Sequence, residues 1–198
     1  MIYQVTLPNM LLWLLLLLLQ LPAWAQQQEP VYKNAVTVKF FGLSTHLKES
    51  QDPKLFPNRL DKNGVFVLNL GAIVGYERFV LQDRVSIRAE QGLYADCAAE
   101  LAGFTHLGFR GILFRSGRHS VNGGFGPTLV YRKDWNTLEG YGDDGYFNRH
   151  GQWQYRFYWY GGEFEYNYKL KQDTELSVNL VPGLPELISV GVGLRRLF

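Results

Sequence analysis

The sequence predicts an all-β chain: an eight-stranded, antiparallel, up-and-down barrel that crosses a membrane, preceded by a cleaved signal peptide. Three observations carry this reading. Segment after segment alternates with period 2 between an apolar and a polar face, the pattern of strands that meet two unlike environments. The connections between those segments alternate short and long. The stretch "ISVGVGLRRLF" ends at Phe198 still inside such an alternation, and a terminal aromatic of this kind reads as docked rather than fraying.

The start of the chain sets the context. An apolar run from Met10 to Leu19 is followed by Pro22 and by Ala23, Trp24 and Ala25, the h-region and A-x-A site of a secretory signal peptide. Cleavage is expected after Ala25, leaving 26–198 as one barrel domain. The run is shorter than the roughly 20 residues a helix needs to span a bilayer. Cys97 is the only cysteine, so no internal disulfide supports the exported chain. A formal net charge of +2 is too near balance to argue for nucleic acid. Aromatic content of 15% with 21 glycines suits β-structure with aromatic belts and close backbone contacts. No apolar stretch after Leu21 is long enough for a membrane helix, so a membrane-spanning mature chain has to be a closed barrel.

Eight strands are expected near 34–46, 64–79, 84–96, 103–114, 119–135, 152–170, 174–183 and 186–198. In "VFVLNLGAIVGYERF", Phe66, Leu68, Leu70, Ala72, Val74 and Tyr76 share one face, and Asn69, Gly71, Gly75 and Glu77 the other. "RVSIRAEQGLYAD" sets Val85, Ile87, Ala89 and Leu93 against Ser86, Arg88, Glu90 and Tyr94. Leu107 and Phe109 oppose His106 and Arg110; Phe164, Tyr166 and Tyr168 oppose Glu163, Glu165 and Asn167; Val192 and Leu194 oppose Gly193 and Arg195. Tight connections "LQDR", "RSGR" and "KQDT" alternate with longer ones, above all "NTLEGYGDDGYFNRHG". Short periplasmic turns and long extracellular loops are the asymmetry of outer-membrane barrels. Aromatics near strand ends, among them Tyr76, Tyr94, Tyr131, Trp135, Tyr155, Tyr166 and Tyr168, are expected to form the interfacial girdles.

In these features the chain from Val36 to Phe198 resembles the small outer-membrane β-barrel proteins of Gram-negative bacteria. The resemblance implies an outer-membrane location among membrane lipid, a monomer, and a C-terminal signal in which Phe198 is read by the barrel-assembly machinery. If the apolar faces meet lipid, the interior receives Glu77, Arg88, Glu90, Arg110, Glu163, Glu165 and Arg195, with Lys39 and Arg132 as further candidates. Eight strands leave an interior that side chains can fill, and buried charges have to be paired. The expected result is a plugged, non-enzymatic barrel acting structurally or through surface loops 47–63 and 136–151 on a protein or glycan ligand. A soluble periplasmic barrel of lipocalin type is the alternative in which the aliphatic faces turn inward.

A second alternative is enzymatic. The chain has weak similarity to the lipid A palmitoyltransferase and deacylase barrels, which implies a rim site at His46, Asp96 and Cys97. A cysteine stands there where a serine is wanted, and His119, Ser120 and Asn122 miss the deacylase spacing. No His, Cys or carboxylate spacing indicates a metal, Asp143 and Asp144 lack a calcium-loop pattern, and no cofactor is expected.

Overall fold

The structure, a computed structural model, describes residues 32–46, 53–183 and 187–198. The expected signal peptide, 1–25, lies outside the described residues. Nine strands follow in chain order: β1 (Asn34–His46), β2 (Phe66–Leu81), β3 (Val85–Ala95), β4 (Leu101–Ser116), β5 (His119–Lys133), β6 (Asn148–His150), β7 (Trp153–Lys171), β8 (Thr174–Gly183) and β9 (Leu187–Leu197). Every pairing is antiparallel. β1 through β5 pair in succession, β5 passes to β7, β7 to β8, β8 to β9, and β9 returns to β1. Eight long strands therefore close a barrel.

β6 is the one strand the sequence reading missed. It forms a hairpin on the outer end of β7, with Asn148 opposite Tyr155, inside what the pattern presents as a continuous loop. The turn passes through Gly151 at φ 58°, a backbone conformation open to glycine because it has no Cβ. Three residues are too few for a period-2 signal to stand out. β4 likewise extends two residues beyond its expected span at each end, pairing with β3 as far as Leu101 and with β5 as far as Ser116.

The tight turns follow from their residues. Gly117 takes φ 55° between Ser116 and Arg118, and Gln82 takes φ 48° in the β2–β3 turn, where the Arg84 amide donates to Leu81 O at 3.0 Å. The start of β1 meets the end of β9: the Phe198 amide donates to Asn34 O, and Phe198 O accepts from the Lys33 and Asn34 amides. A bulge between Phe41 and Leu43 admits Gly42.

Alternation along the strands resolves into two surfaces. Val38, Phe40, Val74, Leu107, Phe109, Phe125, Phe164, Val192 and Leu194 point outward and are 45–66% exposed. Their partners by parity, Lys39, Glu77, Arg88, Glu90, Arg110, Glu163, Glu165 and Arg195, are all under 7% exposed. This polarity is the reverse of what a soluble, lipocalin-like barrel needs. In β7 the alternation breaks at a bulge opposite Gly126 and Thr128, and consecutive Trp159 and Tyr160 are both exposed.

Two of the aromatics expected in the girdles lie elsewhere. Tyr94 packs on Phe41 with ring centroids 4.5 Å apart, in an inward cluster with Ile73 and Phe104. Trp135 is buried with Phe56, Val67, Cys97 and Ala98. Both follow strand parity or a loop contact that a position near a strand end cannot reveal.

Candidate functional site

The interior is the first place where chemistry-bearing residues converge. β1, β2, β3, β4, β7, β8 and β9 each contribute charged side chains to one continuous network. Glu77 accepts from Arg195 Nε and Nη2, both at 3.0 Å, and from Ser86 Oγ at 3.0 Å. Arg195 Nη1 also donates to Glu175 at 2.6 Å. Glu165 sits at the centre: Lys39 Nζ, Arg88 Nη2 and Arg110 Nη2 donate to it at 2.6, 2.8 and 2.5 Å. Arg88 Nη1 donates to Glu163, and its Nη2 lies 3.1 Å from Glu90.

Within the barrel this network holds five carboxylates, Glu77, Glu90, Glu163, Glu165 and Glu175, against four cations, Lys39, Arg88, Arg110 and Arg195. Neutral polar groups pack around it, including Asn122, Asn167, Ser177 and Asn179, all almost fully buried. Lys39, a further candidate in the sequence, belongs to this network, and Glu175 joins it unanticipated; Glu175 shares parity with Ser177 and Asn179 in "TELSVNL", a short strand whose polar face is legible. Arg132, the other further candidate, lies outside the charge network, at the barrel mouth.

An apolar outer face wrapped around an ionic interior decides the architecture, since only a bilayer solvates such a surface while a closed strand ladder satisfies every backbone group. The fold is that of the small outer-membrane β-barrels.

The barrel's mouth, at the end with the long connections, is capped by a small apolar cluster. Phe56, next to the short 3-10 turn Pro53–Leu55, packs with Val67, Cys97, Ala98 and Trp135, and Leu55, Leu138 and Tyr141 lie against them. Arg132 stacks its guanidinium 3.7 Å above the Trp135 ring and 4.2 Å from the Phe147 ring, and donates to Gln154 Oε1 and Tyr141 Oη. Such stacking favours arginine because its planar cation is weakly hydrated.

The three residues of the enzymatic alternative fall in or beside this cap, but in other roles. Asp96 accepts from the Ala98 and Glu100 amides at 2.9 and 3.0 Å and from Trp135 Nε1 at 2.9 Å. Its carboxylate thus organises the β3–β4 turn and ties it to Trp135. Burial pushes the Asp96 carboxyl above its ordinary range, partly offset by these donors. Cys97 is buried, and burial beside Asp96 pushes its thiol well up, so it is a protonated packing residue rather than a thiolate nucleophile. His46 shares Nδ1 with Gly64 O at 2.8 Å and stacks on Phe56 at 4.9 Å. The geometry assembles a cap here, not a nucleophile–base pair.

His106 faces the interior and meets Thr128 Oγ1 at 2.7 Å. His119 lies at the opposite end, against Tyr166 Oη at 2.7 Å. Among the described residues no group of three His, Cys, Asp or Glu side chains is arranged to hold a metal ion. Phe198 is 56% exposed beside β1.

No family model matches the chain, and no curated protein matches it in sequence. Solved structures do match in overall form. The N-terminal β-barrel domain of Pseudomonas aeruginosa OprF aligns with a TM-score of 0.45 at 13% identity, covering 84% of this chain and 99% of that one. Ail, the attachment invasion locus protein of Yersinia pestis, aligns with a TM-score of 0.45 at 11% identity, over 84% and 99%. The outer membrane protein OprG of Pseudomonas aeruginosa aligns with a TM-score of 0.44 at 9% identity, over 86% and 98%.

Proposed function

We propose that the barrel is a closed, non-conducting platform in the outer membrane that holds its extracellular connections, 47–63 and 136–151, for contact with a surface protein or glycan. The observation that carries this reading is the interior network centred on Glu165, which joins three cations from three different strands. Charges so placed occupy the space a solute would need, and separating them to open a path costs several kcal/mol per ion. Above them the Phe56–Trp135 cluster covers the mouth.

The outer connections are built for presentation. The segment from Asp134 to Phe147 is folded rather than loose: Asp134 caps the short turn Trp135–Thr137 by accepting from the Asn136 amide, and Arg149 pairs with Asp134 at 2.6 Å. Tyr146 Oη meets Tyr158 Oη at 2.7 Å, and the Arg156 guanidinium lies 3.9 Å from the Tyr146 ring. Aromatic and cationic groups held rigidly lose little entropy on contact with a ligand.

The test is planar-bilayer conductance of the purified, inserted barrel. No steady single-channel current is expected from the native chain; a reproducible open level of nanosiemens size would end the closed-platform reading. A glycan array on inserted barrels, repeated after replacing 136–147 by a short Gly/Ser linker, then asks whether binding follows that segment.

A further inference from the structure

The end of the barrel that carries the tight turns has an excess of cations, whereas the interior holds one surplus carboxylate and the mouth is balanced. Around the β2–β3 turn stand Arg78 and Arg84, and around the β4–β5 turn Arg115 and Arg118. Lys33 precedes β1, Lys169 and Lys171 close β7, and Arg196 lies near the end of β9. Among the described residues, Asp83 and Asp173 are the only side-chain carboxylates at this rim outside the buried network, and both are already engaged, by Arg115 and by Arg196.

Among the described residues the rim therefore carries eight cationic side chains against two carboxylate side chains. Beyond the outer end of the apolar belt the described residues hold seven of each sign. Lys33, Arg78, Arg84, Arg118 and Lys171 are exposed, and none of them meets a carboxylate among the described residues. Arg78 donates only to Asn34 Oδ1, at 3.0 Å.

The position of these cations identifies what they face. They ring the barrel directly next to its apolar belt, beside the exposed Tyr76, Leu81 and Tyr166. A long basic side chain there lays its stem on hydrocarbon and extends its charge to headgroup level. The tyrosines occupy the same interfacial depth. Self-repulsion of the excess positive charge around this rim is relieved by anions at that depth.

We propose that this rim binds anionic phospholipid headgroups, phosphatidylglycerol-like in chemistry, in the leaflet that meets the tight turns. The inference rests on the transmembrane reading of the fold. It gives the barrel a lipid preference in one leaflet and a fixed orientation of its charge across the membrane.

The probe is spin-labelled phosphatidylglycerol in phosphatidylcholine vesicles holding the full mature barrel, with labelled phosphatidylcholine as reference. The native barrel is expected to prefer the anionic label by about threefold or more at low salt, weakening as salt is raised. Arg84→Gln with Arg118→Gln should cut that preference to about half or less, because both side chains are exposed and neither holds an ion pair. Lys62→Gln with Lys133→Gln removes the same charge from the opposite end and should leave the preference in place.

No preference in the native barrel, or equal loss in both double variants, overturns the proposal. So does an intact lipid preference in Arg84→Gln/Arg118→Gln accompanied by lost co-sedimentation with purified peptidoglycan, which would assign the rim to a polymer. A chain that fails to insert, seen as the absence of a heat-dependent shift in gel mobility, overturns the transmembrane reading itself and the inference with it.

Discussion

Replacing Arg88 by methionine is the sharpest perturbation of the interior. The side chain is 1% exposed and meets Glu163, Glu165 at 2.8 Å, Glu90 at 3.1 Å and Glu77 at 3.5 Å. Methionine fills much of the same volume but supplies no charge, leaving three cations, Lys39, Arg110 and Arg195, for five carboxylates. Breaking a buried pair from one side costs about 3–5 kcal/mol, because the stranded charge is neither solvated nor paired. The matched control is Arg196→Met, whose partner Asp173 lies at 2.8 Å with side-chain exposures of 64% and 32%; a pair that open to solvent contributes about 0–1 kcal/mol. Urea unfolding of the barrel in detergent micelles, under conditions where folding is reversible, reads both. Arg88→Met should lower the midpoint clearly and Arg196→Met hardly at all, and Arg88→Met combined with Glu163→Gln should recover part of the loss. Equal midpoints for the two single variants would refute the claim that the network holds the wall together.

The same unfolding experiment separates the carboxylates. Glu165→Gln loses contacts with three cations and should destabilise by roughly 2–4 kcal/mol, whereas Glu90→Gln, whose Oε1 lies 3.1 and 3.5 Å from Arg88 and Lys39 without accepting a hydrogen bond, should cost clearly less in a network with one surplus carboxylate. Gly193→Ala should abolish barrel formation in a heat-modifiability gel, because its Cβ would sit 2.0 Å from Val38 O. Gly111→Ala, with its nearest atom at 3.8 Å, should fold normally. The cap is expected to loosen with pH: the Asp96 carboxyl is raised in the folded state, so its protonated form is the stabilising one. That contribution is fully present below the unfolded value of about 3.9 and is lost as pH rises through the folded value. The ratio of Cys97 maleimide-labelling rates, native over Asp96→Asn, should therefore climb as pH rises above the unfolded value; a flat ratio would remove Asp96 from the cap's energetics.

Strand identity and polarity were legible because a β-strand sorts side chains by parity alone. "RVSIRAEQ" already sets Arg88 and Glu90 on one face and Ile87 and Ala89 on the other, whatever the strand's neighbours turn out to be. The positions of Tyr94 and Trp135 were not legible in the same way. Tyr94 shares parity with Arg88 and Glu90, but whether an aromatic there meets Phe41 or solvent depends on a strand more than forty residues away in sequence. Asp96, Cys97 and His46 have the composition of a reactive rim, and only the fold assigns Asp96 to amide donors, Cys97 to the apolar cluster and His46 to Phe56.

By itself, then, the sequence determined that there are two faces to each strand, which residues belong to each, and which connections are tight, since these depend on neighbours one, two or three positions apart. Tertiary structure alone decided which ion meets which. Lys39 and Glu165 are 126 positions apart and Arg195 and Glu77 118, and their contact is set by closure of β9 on β1 with one register out of several. Closure also decided that eight unevenly spaced cations, among the chain's twenty Lys and Arg, form a single rim, because a sheet rolled into a barrel brings every tight turn to one end.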